Sequence, residues 1–228
     1  MAELDREHNK LIVKLVYYGP ALSGKTTNLM RLHDIFEGRH CGELMTFDTK
    51  GDRTLFFDLL PLVVRTDNGF TVKIKLFTVP GQVAHDATRK AVLSRADGVV
   101  FVADSQNSQA MSNFQSFENL EKNARRVGID FAKMPLVIQF NKRDLDDIVS
   151  EQDLLSRWQP SGLPIVLSSA LHGYGVYQTF RRLLVETYHS LDVCLGLNDE
   201  YRLDVTHFTG MLPDERCCDG NERAFRTG

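Results

Sequence analysis

The chain has 228 residues, 43% of them hydrophobic and 25% charged, with a formal net charge of −3. That balance supports a packed core and lacks the basic excess of a nucleic-acid surface, so no nucleic-acid partner is expected. No apolar run reaches the ~18–20 residues that span a bilayer. The polar start Met1–His8 does not read as a signal peptide, so we expect a cytoplasmic protein with no integral membrane segment.

From the N-terminus, Leu11–Tyr18 is apolar except for Lys14 and reads as a strand buried on both faces. Gly19-Pro20-Ala21-Leu22-Ser23-Gly24-Lys25-Thr26 follows, a loop of the form GxxxxGKT. Leu29, Leu32 and Phe36 then recur at helical spacing. Strand, loop and helix in that order are what a phosphate-binding loop requires. Backbone N–H groups converge there at a helix N-terminus, where the macrodipole favours an anion. Gly19, Ala21, Leu22, Ser23, Gly24, Lys25, Thr26 and Thr27 are the expected nucleotide-binding residues of this loop. Lys25 brings a point charge to the β- and γ-phosphates, and the Thr26 hydroxyl is placed to ligate Mg²⁺.

Next, Leu59–Val64 and the alternating stretch Phe70–Leu76 read as a hairpin around Asp67-Asn68-Gly69. Gly98–Ala103, Leu136–Phe140 and Ile165–Leu167 are nearly unbroken apolar runs of the kind that form buried parallel strands. Helical patterns lie between and after them, one marked by Phe114, Phe117, Leu120, Ala124 and Val127, the other by Val176, Phe180, Leu183, Leu184 and Leu191. The alternation predicts an α/β P-loop domain over residues 1–192: a mostly parallel six-stranded sheet, one antiparallel strand pair and about five flanking helices. Past residue 192 the periodicity fades. Residues 193–228 read as a partly ordered or disordered extension whose removal leaves the nucleotide site intact. Cys41, Cys194, Cys217 and Cys218 match no zinc spacing and read as reduced thiols.

A phosphate loop alone leaves kinases, ATPases and GTPases open. Asn141-Lys142-Arg143-Asp144, directly after the strand Leu136–Phe140, discriminates among them. The Asp144 carboxylate can accept from the N1–H and exocyclic amine of guanine, whereas adenine offers an unprotonated nitrogen there. A buried hydrogen bond lost in this way discriminates by about 10⁴-fold or more. Asn141 would brace the phosphate loop and the Lys142 stem would lie along the base. Ser169-Ala170 follows the next strand, with the Ala170 N–H available to the guanine carbonyl.

The motifs GPALSGKT, NKRD and Ser169-Ala170 resemble those of Ras-like small GTPases. Gly51–Asp58 and Thr78-Val79-Pro80-Gly81-Gln82 are similar to the two switch regions of the MglA-type bacterial GTPases, as are Tyr17–Pro20 and Val99–Ser105. The resemblance covers roughly residues 10–190. It implies a Ras-like fold, GTP/GDP and Mg²⁺ as ligands, slow GTP hydrolysis, and control of bacterial cell polarity or gliding motility. It further implies an activating partner of the roadblock/LC7 fold, the MglB type, along with polarity or motility effectors and recruitment to a cell pole. Thr54 resembles the switch I threonine that binds Mg²⁺, Gly81 the switch II glycine whose N–H meets the γ-phosphate, and Gln82 the residue that orients the attacking water. Arg53 is similar to an arginine finger carried in the same chain; such a residue can contribute ~10³–10⁵ in rate.

Two positions depart from the Ras-like pattern. Thr78 stands where most members have an Asp that holds a Mg²⁺-bound water, so its metal contact would be weak and water-mediated. Ala21 stands where many have Gly, and its methyl crowds the γ-phosphate. If these two changes stopped turnover, the chain would be a non-hydrolysing, GTP-dependent scaffold.

Overall fold

A computed structural model of the chain describes residues 2–37, 41–48, 56–66, 69–82 and 86–210. Through these residues the chain runs β1 (Glu3–Asp5), β2 (Lys10–Tyr18), α1 (Lys25–Phe36), β3 (Met45–Asp48), β4 (Phe56–Arg65), β5 (Thr71–Thr78), α2 (Asp86–Leu93), β6 (Gly98–Asp104), α3 (Ala110–Arg126), β7 (Leu136–Asn141), α4 (Glu151–Trp158), β8 (Ile165–Leu167), α5 (Val176–Leu195), α6 (Leu197–Tyr201) and α7 (Val205–Phe208). The expected switch I residues Arg53 and Thr54, the turn residues Asp67 and Asn68, and the tail from Met211 onward lie outside the described residues.

β2 is the centre of the sheet because its side chains are apolar in both directions. Leu11, Val13, Leu15 and Tyr17 enter one core, with Leu29, Leu32 and Phe36 of α1 and Phe180, Leu183 and Leu184 of α5. Val16 and Tyr18 enter the other, with Leu93 of α2, Leu120 and Ala124 of α3 and Leu154 of α4. A strand covered on both faces needs parallel neighbours reached by helical crossovers, and β2 pairs in parallel with both β5 and β6.

Among the described residues the sheet has eight strands, in the order β3-β4-β5-β2-β6-β7-β8, with β1 on β2. All six expected strands are present, and β1 and β3 are additional. β1 pairs antiparallel with β2, and β3 with β4, so the single antiparallel pair expected, β4 with β5, is joined by two more. One periodic position also goes the other way: Phe114, on the expected apolar face of α3, is 60% exposed.

The end of the chain differs most from expectation. The expected boundary at residue 193 falls inside α5, which runs to Leu195 and stops at Gly196 in the left-handed conformation (φ 62°). A single glycine in that conformation caps a helix at little steric cost. Beyond it Leu197, Leu203 and Phe208 are fully buried in the α1–α5 core. Phe208 packs against Tyr188 at 5.4 Å between ring centroids, and Tyr201 meets Phe70, beside the β4–β5 hairpin, edge-on at 5.7 Å. Residues 197–208 thus dock on the domain through these three side chains, with Asp204 capping α7 through the His207 N–H. No helix among the described residues is long and apolar enough to cross a membrane.

Candidate nucleotide site

β2 ends at Tyr18, and the following loop closes over the N-terminus of α1. Gly24 caps that helix with φ 97°, a left-handed backbone, and a Cβ there would collide with the Asn141 side-chain amide. Only glycine satisfies both the backbone and the close approach. The Lys25 ammonium folds into the loop, donating to the carbonyls of Pro20 (2.6 Å) and Gly19 (3.2 Å). Burial first, and Arg89 second, push it down to about 7, with Asp58 opposing. Among the described residues no carboxylate forms an ion pair with Lys25; its hydrogen bonds go to loop carbonyls, with the Asp58 charge acting from farther off. A buried ammonium in that setting is a receptor for an anion.

Beside Lys25 lies a cluster that the motifs did not announce. Asp58 is buried on β4; its Oδ2 accepts from Thr26 Oγ1 (2.6 Å) and Thr78 Oγ1 (2.9 Å), and its Oδ1 accepts from Thr46 Oγ1 (3.0 Å). The register explains the meeting. Thr46 is the ladder partner of Asp58 across β3–β4, and Thr78 lies one step past the last β4–β5 pair, Leu59 with Phe77. Hard oxygen ligands, with one carboxylate, are what Mg²⁺ takes when phosphates and water fill its remaining positions. Thr26, Asp58 and Thr78 fit that ion. Thr78, expected to stand alone in place of an aspartate, has this carboxylate next to it.

Ala21, Lys25, Thr26, Asp58, Gly81 and Gln82 are among the residues lining a cleft of about 630 Å³, within the usual range for ligand sites. Leu22 (φ 61°), Gly24, Thr27 and Thr78 line it as well. Gly81 is pressed against the phosphate loop so closely that a Cβ on it would collide with the Ala21 backbone. Gln82 sits exposed at the rim.

The base-side residues converge through Asn141 at the end of β7. Its Nδ2 donates to Ser23 O (2.8 Å), while its Oδ1 accepts from the Ala170 N–H (2.8 Å) and Ser168 Oγ (3.2 Å). The expected brace on the phosphate loop is therefore formed. The Ala170 N–H, expected to be free for a guanine carbonyl, is instead used by Asn141. Lys142 adopts φ 67° and its ammonium pairs with the buried Asp104 at 2.6 Å, which fixes its stem. The Asp144 carboxylate is half-buried and has no partner among the described residues, leaving it free to accept hydrogen bonds. Ser23 and Ser169 are buried, and their hydroxyls have no partner among those residues either.

Residues 14–189 match the family model described as Ras family. The chain is 42% identical over 181 residues to the Mutual gliding-motility protein MglA of Myxococcus xanthus, a match covering 79% of this chain and 93% of that protein. It is also 30% identical over 125 residues to the Ras-related protein Rab2BV of Beta vulgaris, covering 53% and 55%. The Ras-related protein Rab11C of Lotus japonicus matches over the same shares at the same identity.

Proposed function

Given that the chain belongs to the Ras family as an MglA-type small GTPase, we propose that this cleft is its GTP site and that the protein is a switch for cell polarity or gliding motility. The observation that carries the reading is Lys25, a buried ammonium at a helix N-terminus whose hydrogen bonds among the described residues go to loop carbonyls. GTP brings phosphate oxygens in place of those carbonyls, which restores the charge that burial disfavours. Asp144 accepts from the guanine edge, and Asn141 holds the base loop and the phosphate loop in one register. Thr26, Asp58 and Thr78 would hold Mg²⁺, with Thr54 joining them by family resemblance. The ion, when bound, neutralises charge on the β- and γ-phosphates. Gln82 at the rim orients the water, and Arg53 lends a positive charge in the transition state, a role that rests on the resemblance.

The name of the Myxococcus relative carries gliding motility. We extend that process to this chain, with a roadblock-fold activator of the MglB type at the switch regions, effectors beyond it and recruitment to a cell pole. Met45 and Phe47 support the partner, since both are exposed on β3, an edge strand of the sheet among the described residues. The test is to extract the nucleotide that copurifies with the protein, then to measure phosphate release from GTP and ATP with and without Mg²⁺. A guanine nucleotide and Mg²⁺-dependent GTP turnover are expected. An adenine nucleotide, or equal use of ATP, would overturn the reading.

A further inference from the structure

Arg89 of α2 is fully buried, yet among the described residues it has no acidic partner. Its guanidinium lies over the Tyr18 ring at 4.4 Å, and its three nitrogens reach three separate elements. Nε donates to Tyr18 Oη at the end of β2 (3.0 Å), Nη2 to Ser116 Oγ of α3 (2.9 Å) and Nη1 to the carbonyl of Gly81 (3.3 Å). Asp86, the acid of this neighbourhood, is engaged elsewhere. It accepts from Asn119 and Asn123 and pairs with Lys90 and Arg126. Burying a guanidinium without a counter-ion costs several kcal/mol, and an apolar side chain of similar volume would fill the space at lower cost. A structural account therefore leaves the cation unexplained.

Two of its three anchors are firm. Tyr18 directly precedes the phosphate loop, and its hydroxyl is locked by Asn119 (2.6 Å) and Asn123 (3.2 Å). Ser116 sits in the middle of α3. The third contact is a backbone oxygen in the segment that carries Gln82. The Gly81–Gln82 peptide is planar and trans, so its C=O and N–H point opposite ways. Holding the oxygen toward Arg89 turns the Gln82 N–H away from it. It also fixes the plane from which the Gln82 side chain starts. Gly81 and Gln82 line the cleft, and Arg89 stands behind them.

We propose that Arg89 is a positioning residue for GTP hydrolysis, gripping the Gly81 carbonyl from a rigid base on Tyr18 and Ser116 and thereby setting the orientation of Gln82. This rests on the reading of the cleft as a GTP site. A misplacement of ~1 Å at a reacting group costs about 10²-fold in rate, so a brace of this kind acts on turnover far more than on binding.

The test compares wild type with Arg89→Lys, which keeps the charge and loses the fork. GDP and GTP affinities and the single-turnover rate at saturating GTP and Mg²⁺ are measured for both. Arg89→Lys is expected to bind GDP within about 3-fold of wild type and to hydrolyse bound GTP at least ~10-fold more slowly. Equal rates at saturation would overturn the proposal, as would a parallel loss of both affinities with no loss of rate. Tyr18→Phe and Ser116→Ala loosen the guanidinium without touching the cleft. If Arg89→Lys does not fold, these two carry the test, with a several-fold slower saturated rate expected and an unchanged rate overturning the idea. A wild type that neither binds nor hydrolyses GTP would reject the GTP-site reading itself, an outcome distinct from a normal wild type with indifferent variants.

Discussion

Removing the Phe208 ring tests whether the end of the chain is integral to the fold. The side chain is fully buried and packs on Tyr188 of α5 in the same core as Leu197 and Leu203. Phe208→Ala deletes a buried ring and leaves a cavity, which in well-packed cores costs ~3–5 kcal/mol. For a domain of this size each kcal/mol shifts the midpoint by ~2–4 °C, so a fall of about 6–20 °C is expected. Thermal unfolding followed by circular dichroism at a fixed, saturating GDP concentration is the suitable assay, because bound nucleotide itself raises the midpoint. Truncation after Leu195 removes all three buried side chains, each contributing ~1.5–3 kcal/mol by burial alone. That total is comparable to the whole stability of an ordinary domain, ~5–15 kcal/mol. We therefore expect the truncated chain to be largely unfolded or aggregated at 37 °C. A Phe208→Ala protein melting within about 2 °C of wild type, or a well-folded truncation, would refute the reasoning and return the segment to the status of an appendage.

Four further outcomes are expected. Asp58→Asn should weaken the Mg²⁺ dependence of GTP turnover by about 10–100-fold, and an unchanged metal titration would remove Asp58 from the ion site. Asp144→Asn should lose GTP affinity and gain xanthosine triphosphate, because an amide donates where the second base offers a carbonyl; competition binding decides it. Gln82→Leu should retain GTP and hydrolyse it at least ~10-fold more slowly in single turnover, and an undiminished rate would show that the water is oriented by another group. The Cys41 thiol is pushed up to about 11 by burial, with Glu37 adding to the effect. At pH 8 only about one in 10³ is thiolate, so mass-mapped iodoacetamide labelling should be far slower at Cys41 than at the exposed Cys194, and the gap should narrow above pH 10.

The phosphate loop, the central strands and the guanine-side motif could be read directly because each concentrates its information locally. Leu11–Tyr18 is apolar but for Lys14, and GxxxxGKT names its own backbone geometry. What could not be read was information spread across the fold. Asp58 looks like the polar phase of a strand, and only the β3–β4–β5 register brings it to Thr26 and Thr78. Arg89 looks like a solvated arginine on an amphipathic helix, since no pattern reveals that its neighbours are a tyrosine and a backbone carbonyl. Leu197, Leu203 and Phe208 sit in helices of five residues or fewer, or between them, too short for any 3.6-residue period to show. β1 and β3, of three and four residues, are hidden for the same reason. Phe114 errs in the opposite direction, on the right period yet facing solvent.

Asn141 joins what are usually discussed as two halves of a nucleotide site. One side-chain amide holds Ser23 of the phosphate loop on its nitrogen and Ala170 of the base loop on its oxygen, and it fills the space a side chain at Gly24 would need. Loops tied through one rigid planar group cannot order separately. The entropy of fixing the phosphate loop and that of fixing the base loop are then spent together. Guanosine and inorganic triphosphate, each measured alone, should therefore report free energies whose sum falls well short of the whole nucleotide's. The protein would release its ligand as a unit, with little tendency to let the base go first and the phosphates later. For a switch, such all-or-none occupancy keeps the bound and free states sharply distinct.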